Sequence, residues 1–368
     1  MNRIIDFLKK EIVLSVSFVL ALISMFFVPP SEKYFDYIDF RTLGLLFSLM
    51  TIMAGLNKMG IFRLFAKNLL NKAKTMRGVT LLLVLLCFFS SMLITNDVAL
   101  ITFVPFSVVL LKLANKQNRM IFVVTLETIA ANLGSMLTPI GNPQNLYLFS
   151  AYNMSISDFF YTIAPYAMLS LGLLVIFSLF SDKSELANLG DREEVIFDKR
   201  LLTMYAVLFA IALLSVFRVL NYIVLLAAVI VFVLIFDRKV LLKVDYSLLF
   251  TFAFLFIFIG NLGNIAQINS WLSEIVGGNE VVVGVLASQV FSNVPAAILL
   301  SGFTCNAAAL MIGVNIGGLG TLIASMASLI SFKFIQKESV SIAKYLGVFT
   351  LLNVVFLVAN LALWVVVK

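Results

Sequence analysis

Histidine is absent from the 368 residues, cysteine and tryptophan occur twice each, and only 12% of positions carry charge. Without imidazole there is no zinc site of the common kind and no histidine relay, so proton traffic would have to run through carboxylates. Cys87 and Cys305 both sit in apolar surroundings, which excludes a disulfide framework and a thiolate cage. No nucleophile–base pair and no cluster of metal ligands stands out. The chain therefore reads as not an enzyme, with no cofactor and no metal apart from a sodium ion. The net charge of +7 is spread over short basic groups between apolar runs, a pattern that orients a membrane protein rather than one that grips nucleic acid.

What is there in quantity is hydrocarbon. Apolar residues make up 62% of the chain, Phe alone supplies 35, and the mean hydropathy is +1.08, against about 45–50% apolar in a soluble domain. Long apolar runs predict an all-α polytopic membrane protein rather than a barrel, whose strands would alternate in polarity. The basic start followed by Ile12 to Val28 resembles a signal peptide, but the run is long and no small-residue cleavage site follows, so it is expected to remain as a first helix. About nine spans are predicted: 12–28, 43–56, 122–149, 159–180, 201–217, 222–236, 248–262, 307–332 and 346–367. Two further apolar stretches, 79–113 and 281–303, are interrupted near their middles by Asn96-Asp97 and Ser292-Asn293. These read as re-entrant hairpins.

The distribution of Lys and Arg tests that arrangement. With the N-terminus cytoplasmic and the C-terminus outside, only Lys33, Arg41, Arg218 and Lys368 lie outside, leaving 22 of the 26 basic residues inside. Making 281–303 a single crossing would put Lys333, Lys337 and Lys344 outside. For 79–113 the sign rule is silent. Arms of about 15 residues, short of the roughly 20 needed to span, favour re-entry there.

The two halves repeat. Asp39-Phe40 matches Asp245-Tyr246, Thr95-Asn96 matches Ser292-Asn293, and Asn132-Leu133-Gly134-Ser135 matches Asn315-Ile316-Gly317-Gly318, with Thr138 opposite Thr321. The separations are 206, 197 and 183 residues, in the same order. Equivalent helices would run oppositely, giving two inverted repeats with two broken helices. The first repeat takes 1–180, a cytoplasmic linker and connecting helix take 181–217, and the second repeat takes 218–368. The hydrophilic run from Ser181 to Arg200 reads as a solvated linker. Phe62 to Lys74 and Ile268 to Ile275 read as amphipathic arms before the hairpins.

A polar group in the bilayer needs a partner or a function. Thr95, Asn96 and Asp97 precede an apolar arm and could be plain N-caps, although capping does not explain the matching Ser292-Asn293. Asp97 is a candidate cation ligand or proton carrier, and Glu127 a second proton carrier. The run from Asn132 to Asn145 cannot stay helical, because Pro139 and Pro143 each remove a donor and Gly141 loosens what lies between. Its counterpart, Asn315 to Ser325, has glycines instead, for which close helix packing is the plain explanation. Broken helices expose N–H groups that suit anions and carbonyls that suit cations. No Lys or Arg occurs in either tip or either break.

With these tips and breaks the chain resembles the ion transporter superfamily, which includes divalent anion/sodium symporters, citrate permeases, arsenite permeases and D-type sodium/proton antiporters. In the symporter branch each tip reads Ser-Asn-Thr; here the third positions are Asp97 and Val294, and only the Asn and the hydroxyl before it carry over. TNDVALITFVP looks more like the arsenite permease tip, and GNPQN like the break of antiporters and citrate permeases. The resemblance implies a scaffold portion and a moving transport portion, commonly dimeric. The expectation is a secondary carrier of a small carboxylate or oxyanion, coupled to sodium or protons and working by elevator motion in the inner (plasma) membrane, as a homodimer among lipid. The alternatives are a sodium/proton antiporter and an arsenite or antimonite efflux permease. Solute is expected at Thr95, Asn96, Thr138, Gly141, Asn142, Pro143, Ser292, Asn293 and Thr321. The coupling ion is expected at Asn96, Asp97, Asn132, Gly134, Asn293, Asn315 and Gly317.

Overall fold

The computed structural model describes residues 11–60, 75–184 and 198–367, and among them the regular structure is helical throughout, with no β-strand. The elements are α1 (Ile12–Phe27), α2 (Lys33–Tyr37), α3 (Phe40–Lys58), α4 (Met76–Ile94), α5 (Asn96–Leu113), α6 (Met120–Ser135), α7 (Pro143–Ala151), α8 (Ile156–Leu179) and α9 (Lys199–Val216). They continue as α10 (Tyr222–Phe236), α11 (Tyr246–Gly263), α12 (Ala266–Val276), α13 (Glu280–Phe291), α14 (Asn293–Ser301), α15 (Ala307–Ile316), α16 (Met326–Ile335) and α17 (Ile342–Val367). Among the described residues seven helices are long and apolar enough to cross a membrane, or eight if the bent pair α12 and α13 counts as one span. This is a multi-pass membrane protein.

The span count differs from the nine expected for three physical reasons. Helices α1 and α10, at 16 and 15 residues, are shorter than the other apolar spans. The runs 122–149 and 307–332 are each divided by a break, into α6 and α7 and into α15 and α16. The arms of the first hairpin, by contrast, are 19 and 18 residues, not about 15. At 1.5 Å per residue each is about 27–28 Å long, close to the hydrocarbon thickness. The arms of the second hairpin, 12 and 9 residues, are too short to span.

Both hairpins return to where they start. Thr304 Oγ1 donates to Glu280 Oε1 at 2.9 Å, tying the two feet of the second. Both feet of the first meet residues 181–184: Met76 N bonds Ser184 O, Arg77 Nε bonds Ser181 O, and Lys116 pairs with Asp182. The pairs Lys58–Asp237 and Lys112–Glu338 likewise join loops that the charge rule assigns to one face. Helix α12 meets α13 at 109°. The other amphipathic arm expected, from Phe62 to Lys74, lies outside the described residues, as does most of the 181–200 linker.

The helices pack as two bodies. In one, α1 lies along α11, and α3 packs against α9 and α10. In the other, α4, α5, α8, α16 and α17 surround α6, while α13 and α14 pack on α15. The bodies meet where α11 touches α14 and where α3 touches α7 and α5. Across that seam Thr102 Oγ1 donates to Asn57 Oδ1 at 3.0 Å, and Arg218 donates to the Phe149 and Ser150 carbonyls at the end of α7.

Candidate functional site

Each hairpin turns on a single residue. Thr95 has φ 72° and ψ 153°, and Ser292 has φ 71° and ψ 153°. That region is nearly reserved for glycine, and a side chain held there costs on the order of 1–3 kcal/mol. The same strain therefore recurs at two positions that the repeat pairs. Neither residue caps the following helix with its side chain, so the plain N-cap explanation does not hold for Thr95.

Other paired positions also share geometry. Asp39 and Asp245 each cap their helix, accepting from Thr42 N and Leu248 N. A side chain at Gly134 would meet Ser91 Oγ at 2.7 Å, and one at Gly317 would meet Ser288 Oγ at 2.7 Å; each serine lies four residues before its hinge. Thr138 donates to the Met92 carbonyl, and Thr321 Oγ1 lies 3.5 Å from the Gln289 carbonyl, each three residues before its hinge.

Around these hinges the breaks bring four half-helix N-termini and four C-termini into one body, with their unpaired N–H and C=O groups. Asn132, buried on α6, is the central strut. Its Oδ1 accepts from Asn96 Nδ2 at 3.2 Å and from Ser325 Oγ at 3.0 Å, and its Nδ2 reaches Ser328 Oγ at 3.5 Å. One turn earlier Thr128 bonds Ser331 at 2.7 Å. A second chain joins the breaks: Asn142 Nδ2 donates to Asn315 Oδ1 at 3.2 Å, and Asn315 Nδ2 donates to Asn145 Oδ1 at 2.6 Å. Asn145 Nδ2 in turn holds the Met136 and Thr138 carbonyls. Asn142 also caps α7 through Asn145 N, and Pro143 takes the first helical position, where its missing N–H costs nothing.

The tips differ in how far they are satisfied. At the first, Asn96 N donates to the Gly141 carbonyl, Asp97 N to Asn96 Oδ1, and the Asn96 amide to Asn132. What remains is Asp97 Oδ1, buried and without a hydrogen-bond partner among the described residues. At the second, Ser292 Oγ is buried without a hydrogen-bond partner among the described residues. Asn293, only 4% exposed, abuts Gly318, where any side chain would lie 2.8 Å from its amide nitrogen. The N–H groups of Asn293 and Val294 open α14 and have no intrahelical acceptor.

The structure thus joins Asn96, Asn132, Gly141, Asn142 and Asn315 in one hydrogen-bonded centre, with Gly134 and Gly317 at the hinges. Thr138, Asn142 and Thr321, expected to face solute, are engaged in holding backbone or another amide. Glu127 stands apart, fully buried between α5 and α6 with Ser107 Oγ at 2.5 Å from its Oε1. Sequence reasoning missed Gln289, Thr128, Ser328 and Ser331. The three-residue spacing of Ser325, just before one apolar helix, and Ser328 and Ser331 on it is the available signal.

Paired hairpins and broken helices gathered around a polar centre in an otherwise apolar helical body are an architecture found in membrane transporters. The family described as citrate transporter matches residues 4–312, and the chain belongs to that family. It is similar to an uncharacterized transporter of Methanocaldococcus jannaschii, 33% identical over 350 residues that cover 94% of this chain and 95% of the relative. Inner membrane protein YbiR of Escherichia coli is 33% identical over 328 residues, 84% of this chain and 83% of that protein. A silicon efflux transporter of Oryza sativa is 32% identical over 162 residues, 43% of this chain and 32% of its own length. The protein is a membrane transporter.

Proposed function

We propose that the chain is a secondary active carrier of a small carboxylate or oxyanion, coupled to sodium or protons. The observation that carries this reading is the second tip. A buried hydroxyl without a partner among the described residues, a buried amide and first-turn N–H groups lie together there, and they form a donor set suited to an anion without Arg or Lys. The coupling ion belongs at the first tip, where Asp97 presents a buried unpaired oxygen. The two packed bodies support elevator motion of the hairpin-bearing body against the other. The setting we infer is the plasma membrane, as a homodimer with the N-terminus cytoplasmic and the C-terminus outside.

Asp97 also favours a second reading, cation/proton antiport with Asp97 as the exchanging group. Efflux of a neutral metalloid acid is the third, suggested by the silicon efflux relative and by a putative transporter arsB of Dictyostelium discoideum, 30% identical over 158 residues. Liposomes with a trapped pH dye, given a sodium gradient with and without carboxylates, oxyanions and arsenite, separate the three. Cation-dependent uptake of one anion, with no exchange in its absence, is the expected result. Proton efflux driven by sodium alone and lost in Asp97→Asn would overturn it in favour of antiport.

A further inference from the structure

The unwound stretch after α15 exposes carbonyls of the kind that coordinate sodium in broken-helix carriers, yet these carbonyls are already engaged. Gln289, one turn before the hinge of the second hairpin, points its Nε2 at two of them, Gly317 O at 2.8 Å and Leu319 O at 2.9 Å, and also at Val285 O of its own helix at 3.3 Å. Its Oε1 accepts from Thr321 N at 2.9 Å. Gly320 has φ 107°, and a side chain there would run into Gln289 Oε1, so the loop is wrapped closely around this amide. In the first repeat the matching position is Met92, which has no donor. There Asn145 Nδ2 plays the same part from α7, at the Met136 and Thr138 carbonyls. An amide NH2 offers two donors and no charge. It satisfies carbonyls as a small cation would, but it cannot leave.

We propose that the Gln289 side-chain amide stands permanently in the place of a cation in the second break, so that the carrier binds its exchangeable coupling cation at the first tip alone. Gln289 is then a positioning residue that sets how many cations move per cycle. This rests on the cation-coupled reading above, and the test is built so that the two can fail separately.

Purified protein carrying Asp97→Asn, alone and with Gln289→Ala, is melted in sodium chloride and in N-methylglucamine chloride. Removing the amide opens a carbonyl cage that sodium fills, so the double variant melts about 3 °C or more higher in sodium, while Asp97→Asn alone shows no difference. Equal melting of the double variant in both salts would overturn the proposal. If Gln289→Ala cannot be recovered folded in either salt, Gln289→Lys decides, because an ammonium is a tethered cation among the same carbonyls. Folded Gln289→Lys supports the proposal, and its loss contradicts it. Absence of any sodium or proton dependence in the native protein would sink the coupling reading while leaving the salt response of the double variant to judge Gln289 by itself.

Discussion

The two hairpin tips share a backbone and differ in what they leave unpaired. Thr95 and Ser292 bend within a degree of one another, so the duplicated chain makes the same strained turn twice. At the first tip the donors are used internally and a carboxylate oxygen is left over. At the second the carboxylate is replaced by Val294 and donors are left over. The same turn with opposite residual polarity underlies the division proposed above, with a cation at the first tip and an anion at the second.

Substitutions can break or sharpen this division. The largest effect is expected at Asn132, which binds the first tip to both Ser325 and Ser328. Asn132→Ala leaves several buried groups unpaired, so it should cost about 2–3 kcal/mol in unfolding experiments and abolish uptake. Next is the contrast between the tips. Asn293→Ala should weaken half-saturation by solute about 10- to 100-fold, the value of one buried polar contact, without altering cation dependence. Asp97→Asn should remove cation dependence while the protein still folds. Smaller again is Lys58→Met, outside the polar centre. Lys58 bonds Asp237 at 2.7 and 3.0 Å, and Tyr205 adds a third contact to that carboxylate. Because Lys58 is well exposed, the loss should be about 1 kcal/mol of stability, with solute affinity unchanged. The smallest effects belong to the hinges themselves. Thr95→Gly and Ser292→Gly each relieve strain, offset by the added freedom of the unfolded chain, for a net change within about 1 kcal/mol of stability. Only Ser292→Gly should also weaken uptake.

Much of this organisation can be read from residue order. Pro139, Gly141 and Pro143 forbid a continuous helix, and Asn96 and Asn293 interrupt apolar runs at matching places, so breaks and tips are visible as violations of hydrophobic continuity. Gln289 is not visible that way, because one polar residue in a short helix reads as an ordinary helical position until the loop it holds is seen around it. The partners of Asn132 lie some 190 residues away, and no local pattern couples Asn132 with Ser325. The arms of the first hairpin exceed the expected length because α4 already begins at Met76 and α5 takes Asn96 and Asp97 into its first turn; serines inside the apolar helix bond back to the preceding turn, as Ser91 does to the Phe88 carbonyl. Thr138, Asn142 and Thr321 are polar residues at or beside a break. Whether such a group faces solute or braces backbone depends on neighbours that the sequence does not adjoin.

The most direct measurement is uptake into liposomes as a function of solute at saturating cation and of cation at saturating solute, with Asp97→Asn and Asn293→Ala side by side. The account predicts that Asn293→Ala shifts only the solute curve and Asp97→Asn only the cation curve. Shifts of both curves in both variants, or the reverse assignment, would contradict the division between the tips.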